Sequence, residues 1–271
     1  MIEKIIVNIP NPIKKLASYI FKIRYGFFGD YKTWISAAED CGGYDEGQIL
    51  EKVVKSIRKV RDGEMPFERD GVLFNKIQYS WPLLAGILFA AARSKDQKIS
   101  VIDFGGSLGS TYFQNKKFLD RFSNVSWNVI EQNNFVKIGN DEFTTNTLKF
   151  CTNIQNIPES IKPNILVASG VLQYLEKPYE IIDELLSEFD FDVIVVDRQS
   201  FDSNGKERIV KQVVPPSIYK ASYPCRLFAE KEFVKAFTDN GYEIVEDFDG
   251  ADGFGKGYYF KGFIFCRENQ E

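Results

Sequence analysis

The residues best placed to do chemistry run from Val101 to Ser110: Val101-Ile102-Asp103-Phe104-Gly105-Gly106-Ser107-Leu108-Gly109-Ser110. A short apolar strand enters a glycine-rich turn, and a helix follows. Glycines let the backbone approach a ligand closely, and a helix N-terminus presents free N–H groups. In an open α/β sheet such a loop cradles a nucleotide or cofactor. No Gly-Lys-Ser/Thr follows, so the loop is not a P-loop. The spacing of Gly105, Gly106 and Gly109, with Ser107 between them, does not fit G-x-G-x-x-G. Asp103 ends the strand two residues before the first glycine. A carboxylate there repels a pyrophosphate and suits a cofactor that presents an ammonium and a sulfonium. Trp127-Asn128-Val129-Ile130-Glu131 reads as the next strand, and Glu131 lies 22 residues after Gly109. A carboxylate at that strand end can accept hydrogen bonds from both hydroxyls of a ribose. Alone it would be a solvated strand-end group; the glycine loop beside it favours the binding role.

A second set of residues ends the later strands. Asp197 and Arg198 follow the apolar run Val193-Ile194-Val195-Val196. Asp197 is a candidate general base, and Arg198 a candidate bidentate grip on an acceptor phosphate or carboxylate. An ion pair at the sheet rim explains them equally well. Tyr174, with Gln173, is a candidate acceptor contact. Tyr223, Cys225 and Arg226, stiffened by Pro224, read as a loop that covers the acceptor. The chain has no histidine. Ser–His and Cys–His nucleophile pairs, histidine bases and histidine metal sites are therefore excluded. The cysteines Cys41, Cys151, Cys225 and Cys266 are widely spaced and form no C-x-x-C. Reduced structural thiols are expected, with no metal site and no disulfide framework.

These residues need a scaffold, and the chain supplies one of 271 residues. Apolar residues make up 44% of it, enough for a real core. Residues 1–95 read as a helical N-terminal extension or lid, and residues 96–271 as a Rossmann-like domain. In the first part Asp45 is a candidate cap for a helix with Ile49, Leu50, Val53, Val54, Ile57 and Val60 on one face. Pro66 to Gly71 reads as a charged turn, and Gln78 to Arg93 as an apolar helix. In the second part strands alternate with helices, so a mostly parallel sheet is expected. The last two strands, Tyr242–Asp247 and Tyr258–Cys266, have no helix between them and should pair antiparallel.

S-adenosyl-L-methionine (SAM) presents both the ammonium and the sulfonium that Asp103 suits. At these residues the sequence resembles class I SAM-dependent methyltransferases. Ile102-Asp103-Phe104-Gly105-Gly106-Ser107-Leu108-Gly109-Ser110 looks like their D-x-G-x-G-x-G motif, with Ser107 in place of the middle glycine. Within that class it is similar to a family of bacterial methyltransferases associated with surface-polysaccharide gene clusters. That resemblance covers most of the chain. It is carried by Gly29 to Trp34, Asp103 to Phe113, Trp127 to Gln132, Ala168 to Leu175 and Tyr223-Pro224-Cys225. It implies a seven-stranded sheet with the last strand antiparallel. It implies that Asp103 and the backbone of Gly105 to Gly109 hold the methionine end of SAM, and that Glu131 binds the ribose. Gln132 would flank the adenine, Asn153 and Ile154 would edge it, and Ser169 and Gly170 would line the methyl-donor side. Gly29 to Trp34 would be part of a lid, or else a surface turn.

The resulting expectation is a SAM-dependent methyltransferase acting on a small-molecule acceptor, by O-methylation of a sugar or glycan precursor. The alternative is a binding or scaffold protein that keeps the fold without catalysis; intact Asp103 and Glu131 speak against it. A nicotinamide-dependent oxidoreductase is disfavoured by the glycine spacing. Nucleic-acid methylation is disfavoured too. Net charge is −4, no basic stripe is present, and Ser169-Gly170-Val171-Leu172 stands where an Asn/Asp-Pro-Pro-Tyr/Phe motif would be needed. No signal peptide or membrane span is evident, so a cytoplasmic location is expected. Residues 12–28 mix Lys14, Lys15, Lys22 and Arg24 with Leu16, Ile20, Phe21, Phe27 and Phe28. That pattern fits weak contact with the inner face of a membrane; a helix packed on the protein with its lysines solvated is the commoner outcome.

Overall fold

The apolar runs marked as strands meet in one sheet in the computed structural model, which describes residues 25–42, 46–158, 160–215, 218 and 220–267. The N-terminal part supplies strand β1 (Gly26–Tyr31), helices α1 (Trp34–Glu39) and α2 (Glu46–Arg61), the hairpin β2 (Phe67–Arg69) and β3 (Val72–Phe74), and helix α3 (Trp81–Arg93). Then follow β4 (Ile99–Phe104), α4 (Ser110–Leu119), β5 (Val125–Ile130), α5 (Asn133–Ile138), β6 (Leu148–Cys151), β7 (Ile165–Ser169), α6 (Pro178–Glu188) and β8 (Val193–Asp202). The remaining elements are β9 (Arg208–Val213), β10 (Ser222–Leu227), α7 (Glu230–Thr238), β11 (Tyr242–Gly255) and β12 (Tyr258–Arg267).

The main sheet has seven strands in the order β11-β12-β8-β7-β4-β5-β6. The ladders among β4 to β8 are parallel, and β12 runs antiparallel to both β8 and β11. This is the Rossmann-like sheet that the sequence implied, with its last strand reversed. Strands buried on both faces read as continuous apolar runs because each face has its own core. Val193 and Val195 of β8 pack with α2 and α3 on one side, while Ile194 and Val196 pack with α6 and α7 on the other. Helix α3 lies very close to β8: a Cβ on Gly86 would stand 2.5 Å from Val195 Cγ2. At the foot of the sheet Asn164 acts as a side-chain splice between β4 and β7. Its Oδ1 accepts from the Ser100 N–H at 2.9 Å, and its Nδ2 donates to the Lys98 carbonyl at 3.1 Å. Asn164→Ala strands both backbone groups in a buried setting and should lower unfolding stability by about 2–3 kcal/mol in a denaturant titration.

The N-terminal part is less uniformly helical than its sequence suggests. Gly26–Tyr31 is a strand, and it pairs antiparallel with β9, which pairs with β10, in a separate three-stranded sheet. The segment Tyr223 to Arg226, expected as a loop, is the body of β10. The charged turn at Pro66 to Gly71 is the β2–β3 hairpin. The segment Gly29 to Trp34 straddles the end of β1 and the start of α1, where Thr33 Oγ1 accepts from the Ser36 N–H at 3.1 Å. Asp45, proposed as a cap for α2, and residues 12–24 of the basic segment lie outside the described residues. Among the described residues no helix is long and apolar enough to cross a membrane.

Candidate functional site

The C-terminal ends of β4, β5, β7 and β8 open into a cleft of about 1180 Å³, roofed on one side by the β1–β9–β10 sheet. The glycine loop forms its floor. Gly105 and Gly109 have φ of +70° and +85°, and Ser107 adopts +55°, so the serine copies the left-handed backbone of the glycine it replaces. The Gly105 N–H donates to the Ile130 carbonyl at 2.9 Å, and that of Gly109 to the Gly106 carbonyl at 3.0 Å. A Cβ on Gly106 would lie 2.4 Å from the Asp103 carboxyl carbon, and one on Gly105 would lie 2.3 Å from Val171 Cγ2. The loop therefore needs glycine at both positions to lie flat over Asp103.

Asp103 is 1% exposed. Its Oδ2 accepts from Trp127 Nε1 at 2.9 Å. Burial pushes its carboxyl up to about 7, opposed by the Trp127 hydrogen bond and reinforced by the charge of Glu131. Glu131 is likewise pushed up by burial, while N–H groups of Gln132 and Ser107 hold it down. Its Oε2 accepts from the Gln132 N–H at 2.6 Å. Two carboxylates, Asp103 buried and Glu131 half-buried, thus sit at neighbouring strand ends. A ligand that brings positive charge and hydroxyl groups would stabilise both in their ionised forms.

Of the other expected cofactor residues, Gln132, Ser169 and Gly170 line the same cleft. The Gly170 N–H donates to the Asp197 carbonyl at 2.9 Å. Asn153 is not among the described lining residues. Its Oδ1 accepts from the Asn156 N–H at 3.0 Å and caps a short 3-10 turn, while Ile154 is buried in the core below.

The acceptor side is built around a bulge in β8. Gln199 pairs with Lys261 and Val196 with Phe263, so Asp197 and Arg198 together face Gly262. Arg198 takes up the extra residue with φ +56°. A bulge re-aims side chains, and here both point to the cleft. Asp197 is 3% exposed, and its Oδ1 accepts from the Arg198 N–H at 2.8 Å. Burial raises its carboxyl above the ordinary value, against hydrogen bonding from Ser80 and the charge of Arg198. The Arg198 guanidinium does not turn back to Asp197. Its Nε donates to Asp252 Oδ2 at 2.7 Å and its Nη2 to Asp70 Oδ2 at 3.0 Å. Its Nε and Nη2 are thus engaged by carboxylates, and an anionic acceptor approaching Arg198 would meet Asp70 and Asp252 beside it.

Tyr174 also lines the cleft, its ring edge-on to Tyr223 at 5.2 Å, with burial raising its phenol. Cys225 is fully buried and burial raises its thiol, which suits a packing role. Arg226 is committed to structure: it pairs with Glu207, donates to the Glu176 carbonyl at 2.7 Å and lies over Trp34.

Sequence reasoning missed Glu68, Asp70, Ser80 and Asp252. Glu68 is 2% exposed, bonded to Ser110 Oγ and to the Gly71 N–H, and pushed up to about 7 by burial. The Asp70-Gly71 dipeptide between Phe67 and Val72-Leu73-Phe74 is a hairpin signal that would have placed Glu68 and Asp70 on a structured arm.

No protein-family model matches this chain, and no curated protein matches it by sequence. Among solved structures it is similar in fold to the N-terminal domain of EvdMO1 determined with SAH and D-fucose: 12% identity, 83% of this chain against 98% of that one, TM-score 0.48. A glycopeptide N-methyltransferase, MtfA, in complex with SAM matches at 11% identity, over 68% and 94% of the two chains, with TM-score 0.46. The magnesium protoporphyrin IX methyltransferase of Synechocystis matches at 15% identity, over 80% and 84%, with TM-score 0.45.

Proposed function

We propose that the cleft binds SAM and directs its methyl group to a small acceptor, the O-methylation of a sugar or glycan precursor in cytoplasmic surface-polysaccharide biosynthesis. The observation that carries this reading is the pair of carboxylates, Asp103 buried and Glu131 half-buried, set beside a glycine loop that a single added Cβ would block. Asp103 and the loop backbone suit the methionine end, Glu131 the ribose, and Gln132, Ser169 and Gly170 the rest of the cofactor. When bound, SAM supplies an electrophilic methyl group on a sulfonium.

This chain's own part is alignment and exclusion of water. Phe27, Tyr174, Tyr223, Tyr258 and Phe260 give the acceptor side an aromatic wall. An acceptor hydroxyl must also lose a proton. Our candidate to take it is Asp197, which is buried and whose carboxyl burial raises above the ordinary value. Tyr174 and the Arg198 bulge shape the space in front of it.

The test is calorimetric titration with SAM and with its demethylated product, S-adenosyl-L-homocysteine (SAH). Wild type should bind both at micromolar concentration. Glu131→Ala removes two charge-assisted hydrogen bonds to the ribose and should weaken binding by roughly 100-fold, about 3 kcal/mol. Well-folded wild type that binds neither compound would leave a scaffold role as the better reading.

A further inference from the structure

With Asp103 and Glu131 given to the cofactor, the described lining of the cleft still includes the carboxylates of Glu68, Asp70, Asp197 and Asp252. Against them stand the guanidiniums of Arg69 and Arg198. Arg198 is held between Asp252 and Asp70 at 2.7 and 3.0 Å. Arg69 lies over the Phe74 ring, and its charge acts on Asp252 as well. Burial alone would raise the Asp252 carboxyl; Arg198 and Arg69 hold it below the ordinary value. Asp70 and Arg198 are non-glycine residues with φ of +53° and +56°, at the two ends of one ion pair.

Gln173 adds an independent sign. It is 2% exposed, its Nε2 donates to the Arg198 carbonyl at 3.2 Å, and its Oε1 has no hydrogen-bond partner among the described residues. A buried acceptor in a cleft wall is satisfied by a ligand that brings an O–H or N–H. A phosphate or carboxylate group would meet a lining in which Glu68, Asp70, Asp197 and Asp252 outnumber Arg69 and Arg198, with Arg198 already paired.

We infer that the acceptor carries no phosphate or carboxylate: it is a neutral polyol or an amine, such as an unactivated glycan, and not a sugar phosphate or a nucleoside-diphosphate-linked sugar. The inference rests on the methyl-transfer reading. It makes Asp70 and Asp252 specificity-determining residues, because they engage the Arg198 guanidinium at the β8 bulge.

The experiment titrates UDP and inorganic pyrophosphate into SAH-loaded protein by calorimetry. Wild type should bind neither below millimolar concentration. The Asp70→Asn/Asp252→Asn double variant, which releases Arg198, should bind pyrophosphate at least tenfold more tightly than wild type. Micromolar UDP binding by wild type overturns the inference. So does a folded, SAH-binding double variant that gains nothing. SAH titration of the same samples reports on the cofactor separately, so its loss in wild type counts against the methyl-transfer reading and not against charge selection.

Discussion

Gly106→Ala should fold with about 3 kcal/mol less stability and should show no measurable SAH binding. The added Cβ would come within 2.4 Å of the Asp103 carboxyl carbon. That carboxyl has nowhere cheap to go. It is buried, its Oδ2 is held by Trp127 Nε1, and swinging it aside would leave the indole N–H without a partner. The alternative is to lift the loop, which moves the backbone that is to hold the cofactor. Gly205→Ala is the contrast. Gly205 has φ +67° but nothing within 4 Å of its added Cβ, so only the left-handed backbone penalty of about 1 kcal/mol applies. Thermal melts and SAH titrations of the two variants separate the effects. Retained SAH affinity in Gly106→Ala would mean that the loop does not need to lie against Asp103.

The second large effect is a pair of opposite pH dependences. Asp103 rises from the ordinary 3.8 to about 7 in the folded protein, which corresponds to about 4 kcal/mol. Glu68, raised from 4.5 to about 7, contributes about 3 kcal/mol in the same direction. For a raised carboxyl the folded state binds the proton more tightly than the unfolded state. The favourable contribution is therefore complete below the unfolded value near 4 and is lost as pH rises through about 7. Ligand-free protein should melt at progressively lower temperature as pH climbs through this window. Asp103→Asn should remove the larger part of that slope. SAM should behave in reverse. Its cationic groups favour ionised Asp103, so SAM affinity should increase as pH passes through about 7. SAH lacks the sulfonium and should gain less. A SAM affinity that is flat or falling over this range would separate Asp103 from the cofactor's charge.

The parts of this protein that could be read in its sequence are those set by neighbours along the chain. Val193 to Val196 is apolar at every position because both faces of β8 are covered, and that shows in four consecutive letters. The strand–glycine–helix turn at Asp103 to Ser110 is equally local. Asn153 went the other way for a local reason as well. Its side chain accepts from the N–H three residues ahead and caps a turn, a local habit of asparagine. The acceptor wall was not legible. Arg-Ile-Val-Lys-Gln-Val at β9 mixes charge with apolar residues, as a strand in a small three-stranded sheet can, and one of its two partners, β1, lies far away in sequence. The sequence left Arg198 open between an acceptor grip and an ion pair, because Asp70 and Asp252 reach it across long stretches of chain. Spacing between motifs carries no trace of such a meeting.

The β1–β9–β10 sheet sets an order of assembly. Gly26–Tyr31 has to wait for Arg208–Val213 before it can pair, whereas β4 and β5 are separated only by α4 and close a short loop. Closing a long loop is entropically dearer and slower. On a chain leaving the ribosome, the residues of β4, β5 and β7, with the glycine loop, emerge before the strand that β1 needs. The floor of the cleft is thus made before its roof can be. The complete cleft is among the last features that synthesis makes available.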